Sequence, residues 1–109
     1  MDILIQTEGV TLTEAIKDAV DEKIGHVGQH APRALRARVY LRKVSAHPSP
    51  RQYTVHVLVE IPGADLSVEE SHANVIGALD VVAHKMERRL TKHKTGRLAK
   101  RASGPRRKP

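Results

Sequence analysis

An α+β fold, β-α-β-β-β-α in chain order, is predicted by three observations. Apolar residues recur at three- and four-residue steps in two separate stretches and alternate in the segments between them, so helical and strand periodicities take turns along the chain. The apolar supply is modest: 39% of residues, with two Tyr and no Phe or Trp. That supply suits two helices on one face of a sheet, which has a single interface to fill, better than a two-sided sandwich. Finally, a right-handed crossover through the first helix places the first strand parallel to the second and both helices on one face of a four-stranded sheet. At 109 residues there is room for one core and one domain, which excludes an enzyme with a cleft between lobes.

The first strand is read over Asp2 to Thr7, whose Ile3-Leu4-Ile5 run is too short for a helix and is followed by Glu8-Gly9. Thr11-Leu12-Thr13-Glu14 has the pattern of a capping box, the Thr11 hydroxyl accepting from the Glu14 N–H and the Glu14 carboxylate reaching back. The helix predicted from there carries Leu12, Ile16, Ala19, Val20, Ile24 and Val27 on one stripe, and Gly28 and Pro32 end it. From Arg36 to Val44 the period changes to two, with Ala37, Val39 and Leu41 on one face. Ser45 to Pro50 is a loop. Gln52 to Ile61 alternates again, Pro62-Gly63 turns the chain, and Ala64 to Glu70 completes an antiparallel meander. Ser71 or Asn74 caps a second helix with the stripe Val75, Leu79, Val82, Met86 and Leu90, and Gly96 is its expected stop.

The charge is unevenly spread. Nineteen Lys and Arg face 12 Asp and Glu, a formal net charge of +7. Lys85 to Pro109 holds 11 of the bases and one acid, Glu87; Arg33 to Arg51 holds six bases and no acid. A molecule polarised in this way attracts a polyanion. On the second helix Lys85, Arg88 and Lys92 form one row, with Arg89 and His93 beside it, at the 5 to 6 Å intervals that suit phosphates on folded RNA. Cations near a helix C-terminus also complement its dipole, but 11 bases against one acid exceed what that requires.

Other chemistries are poorly supplied. Without Cys there is no disulfide, thiolate site or thiol nucleophile. No signal peptide or membrane-length apolar run is present, so the expected address is the cytoplasm. Asp80 and His84, four apart, have no patterned nucleophile or Gly-rich phosphate loop beside them, so no enzyme is expected and Asp80 is read as bonding locally. His26 and His30, with Glu22 one turn earlier, have metal-ligand spacing but no assigned third strong ligand; no metal or other cofactor is expected. A base-stacking sheet surface would need more aromatics than Tyr40, and the second helix lacks the Trp and Phe of an interfacial membrane helix. No membrane and no small-molecule substrate is expected as partner.

The segment Asn74-Val75-Ile76-Gly77-Ala78-Leu79-Asp80, followed by Lys85-Met86-Glu87-Arg88-Arg89-Leu90-Thr91-Lys92-His93-Lys94, resembles the second-helix signature of the ribosome hibernation-promoting factors, also called ribosome-associated inhibitors or sigma-54 modulation proteins. Val10 to Lys23 is similar to that family's first helix, and the likeness spans about residues 1 to 95. It implies a double-stranded-RNA-binding-domain-like fold and a translation inhibitor that binds the small ribosomal subunit and its ribosomal RNA in the channel of messenger and transfer RNA in idle cells. By matching position it implies RNA contacts from Lys85, Arg88, Arg89, Lys92 and Lys94, supported by Lys23 and Arg42. Asn74 and Ile76 stand where the family commonly has an acidic residue and an aromatic, and His26 where a Lys is common. The likeness is to the family's short form, or to a fragment of a long form, whose added domain pairs ribosomes; without that domain no obligate homo-oligomer is expected. Residues 1–95 are thus read as the ribosome-binding domain and 96–109 as a basic, disordered tail. The alternative is a general RNA-binding or transcription-associated regulator using the same helix.

Overall fold

In the computed structural model, residues 1–44 and 52–103 are described, with side chains described as far as His93. The expected Ser45 to Pro50 loop and residues 104–109 lie outside them. The elements are β1 (Asp2–Glu8), α1 (Glu14–Gly28), β2 (Arg36–Lys43), β3 (Tyr53–Ile61), β4 (Ala64–His72) and α2 (Val75–Ser103). The sheet order is β1-β2-β3-β4, with β1 parallel to β2 and the other pairs antiparallel, as the crossover argument requires.

Alternation decides which side of each strand meets the helices. Ala37, Val39 and Leu41 on β2 and Val55, Val57 and Val59 on β3 are buried and cross-paired, while Arg38, Tyr40 and Arg42 face the other way. From above, α1 contributes Val20, Ile24 and Val27, and α2 contributes Val75, Leu79, Val82, Met86 and Leu90 to the same core. Each of the larger side chains stabilises by about 2 kcal/mol when fully buried. On β1, Ile3 and Ile5 pack against this core, whereas Leu4 is 46% exposed on the open face.

The turn chemistry follows the sequence at Pro62-Gly63. Ile61 pairs with Ala64 across these two residues, and Gly63 takes φ 83°, the left-handed conformation that Gly adopts without a Cβ clash.

Three boundaries differ from the sequence reading by more than one residue. The Thr11/Glu14 box does not start α1: Thr13 is the N-cap, with extended backbone, and its Oγ1 accepts from the Ile16 N–H at 3.2 Å. Leu12 is exposed, so winding the helix from there would bury nothing, and the first inward position is Ile16. β4 runs to His72 rather than Glu70, because Thr54 and Tyr53 continue the ladder opposite Ser71 and His72. Lastly, α2 does not stop at Gly96 but continues to Ser103. A helical Gly costs about 1 kcal/mol, which the good helix formers Leu98 to Ala102 beyond it can offset. The helical stretch includes the first part of the segment expected to be a disordered tail.

Candidate nucleic-acid interface

The start of α2 is fixed by Asn74, one of the two expected caps. Its Oδ1 accepts from the Gly77 N–H at 2.6 Å, and its own N–H donates to His72 Nδ1 at 3.2 Å. The buried stripe then sets the helix's rotation. At about 100° per residue, Arg88 lies roughly opposite buried Met86, and Lys92 is one turn further along the same outer side. Both are exposed. Lys85 and Arg89 lie on the flank over β4: Lys85 Nζ is paired with Glu70 Oε2, and Arg89 Nη1 donates to the Ser67 carbonyl at 2.7 Å. These four bases line one surface groove, with Glu69 of β4 among them and His30 and Glu87 at its α1 edge.

Its acids are on the opposite flank, facing α1. Asp80 Oδ1 lies 3.0 Å from Lys23 Nζ, and Glu87 Oε2 lies 2.7 Å from His26 Nδ1. Asp80 therefore bonds across to α1 rather than locally. Among the residues whose side chains are described, the helix is sorted by charge around its circumference, with bases outward and over β4 and acids toward α1.

The remaining expected site residues fall elsewhere. Lys23 is on the α1 side, its side chain only 25% exposed and engaged with Asp80. Arg42 is exposed on the open face of the sheet, the layer turned away from α2. Lys94 belongs to α2, but its side chain is outside the described set. Lys85, Arg88, Arg89 and Lys92 are thus brought together, and Lys23 and Arg42 are not.

The open sheet face has its own order. Tyr40 and His56, paired across β2 and β3, stack with ring centroids 5.6 Å apart. Glu60 Oε2 accepts from Arg38 Nε at 2.8 Å, and Arg36 Nε lies 3.5 Å from its other oxygen. Hydrogen bonding with Tyr40, then with Glu60, raises the Arg38 pKa above its ordinary value, so this cation stays charged throughout the accessible range. Pattern reading missed Glu70 and Ser67 as partners of the α2 bases and Glu87 as a partner of α1. One signal was present for Glu87: it is the single acid in the basic C-terminal run.

No helix among the described residues is long and apolar enough to cross a membrane. The fold matches a ribosomal subunit interface protein from Coxiella burnetii with a TM-score of 0.75, at 18% identity, over 87% of this chain and 99% of that one. A ribosome hibernation promotion factor from Deinococcus radiodurans is 30% identical over 95 residues, which is 87% of this chain but only half the length of that relative. A ribosome hibernation promoting factor from Azotobacter vinelandii is 30% identical over 94 residues, 86% of this chain and 83% of that relative. The family model described as sigma 54 modulation protein / S30EA ribosomal protein matches residues 3–97, nearly the whole described chain, and it is to this family that the chain belongs.

Proposed function

We propose that this protein is a ribosome-associated hibernation factor, which silences translation by seating the outer side of α2 on small-subunit ribosomal RNA in the channel used by messenger and transfer RNA. The observation that carries this reading is the grouping of Lys85, Arg88, Arg89 and Lys92 on one side of a helix whose rotation is fixed by its buried stripe. Family membership and the names of the relatives support the ribosome as partner. Inhibition on this reading needs no covalent step: the body of the domain excludes the competing RNAs by occupying their space, and cations supply affinity through counterion release.

The geometry also sorts the residues by task. Lys85 and Arg89 are anchored to β4, so they present charge at fixed positions, whereas Arg88 and Lys92 make no ion pair among the described residues and are available to phosphate. The double reversal Arg88→Glu/Lys92→Glu is therefore predicted to cut co-sedimentation with small subunits from starved-cell extract by at least about tenfold, leaving the melting temperature nearly unchanged. Replacing the same pair by Ala should reduce the slope of log affinity against log salt by about 1.5, at roughly 0.7 to 0.9 for each phosphate no longer neutralised. Undiminished ribosome association in the reversed variant would refute the α2 interface. Wild-type protein found wholly in the soluble fraction at low salt would refute the ribosome itself as partner.

A further inference from the structure

The groove between α1 and α2 is chemically unlike the rest of this basic protein. It is lined by Glu22, Lys23, His26, Asp80, His84 and Glu87, with Ala83 at its floor, and its one cation, Lys23, is already paired with Asp80. We infer that His26 and Glu87 of this groove, with His30 just outside it, form a binding site for a divalent transition cation, with Zn²⁺ the ion their donor set fits.

The histidine spacing alone is a weak signal, since two His four apart on a helix occur often by chance. The third ligand comes from the other helix. His26 lies in the last turn of α1, and the His30 N–H donates to the Val27 carbonyl at 3.0 Å, so the chain keeps turning beyond Gly28 and brings His30 beside His26, ring centroids 5.7 Å apart. Glu87 reaches across from α2 with Oε2 2.7 Å from His26 Nδ1. One donor atom from each of the three residues lies within 4.8 Å of the other two. Tetrahedral zinc with bonds of about 2.0 to 2.2 Å holds its ligand atoms roughly 3.3 Å apart. The His26–Glu87 pair has only to open slightly and His30 to close on it, and both imidazoles are exposed and can turn.

The chemistry selects among cations. Two imidazoles and one carboxylate suit Zn²⁺, whereas Mg²⁺ and Ca²⁺ prefer all-oxygen shells. Three protein ligands leave a fourth position for water. The short His26–Glu87 contact needs a proton between nitrogen and oxygen, and the metal takes that proton's place as the link between the helices. Glu22 along the same groove adds negative potential that favours a cation, while Asp80 offsets the charge of Lys23.

The test is calorimetric titration of the tag-free 109-residue chain with zinc chloride. One Zn²⁺ should bind per chain, at least about a hundredfold more tightly than Mg²⁺ or Ca²⁺. His26→Ala, His30→Ala and Glu87→Gln should each weaken binding by at least about tenfold, while His56→Ala, on the open sheet face, should leave it unchanged. Zinc added to the wild-type protein should shift the imidazole NMR signals of His26 and His30 ahead of the other histidines, a readout independent of variant folding. Absence of heat, affinity unaltered in His26→Ala and His30→Ala, or signal shifts confined to other histidines would each overturn the site. These outcomes are independent of ribosome binding.

Discussion

At the residue scale, the cap of α1 separates what a pattern suggests from what packing selects. Thr11 and Thr13 are both competent caps, and Thr11 has the better local pattern because Glu14 stands three residues on. Thr13 caps instead because the helix is positioned by Ile16, Val20, Ile24 and Val27 against the sheet, a fact of tertiary structure that no local window contains. Thr13→Ala is predicted to cost about 1 kcal/mol, and Thr11→Ala less than about 0.5 kcal/mol. Thermal melts of the two variants decide it; a larger loss at Thr11 would contradict the observed cap. Gly77 was equally opaque to pattern reading. A Cβ there would come within 2.6 Å of the His72 ring, which itself accepts from Asn74, so any side chain at this position would force that ring to shift.

At the element scale, α2 was largely legible. Its apolar stripe appears in the sequence at the correct three- and four-residue steps and is buried as expected, and the rows of bases follow from the same periodicity. What periodicity does not contain is the identity of the neighbours: that Lys85 and Arg89 lie over β4 and Asp80 and Glu87 beside α1 depends on which element flanks each side of the helix. The same separation predicts that stability and binding respond to different faces. Leu79→Ala should cost about 2 to 5 kcal/mol by leaving a cavity where the side chain is fully buried. Arg88→Ala should shift stability by no more than about 0.5 kcal/mol. Urea denaturation measures both, and comparable losses would mean that Arg88 has a structural partner.

At the scale of the whole molecule, the order of elements and the parallel first pairing were readable because connection rules leave few alternatives for β-α-β-β-β-α. The placement of Arg42 and Lys23 away from the α2 surface was not, since sequence distance carries no information about which layer a residue faces until the layers are assembled. Assembly itself is uneven across this sheet. β2, β3 and β4 are successive antiparallel neighbours, whereas β1 reaches its partner only across the whole of α1 and the segment after it. Long loop closure is entropically costlier and slower than hairpin closure. As an edge strand bonded on one side only, β1 is predicted to exchange its amide hydrogens well before β3, which is paired on both sides; equal protection by hydrogen exchange would argue against this. The parallel edge thus has a consequence in time. β1 is made before β2 and stays without its partner until β2 has followed, so the order in which these strands are written is not the order in which their sheet closes.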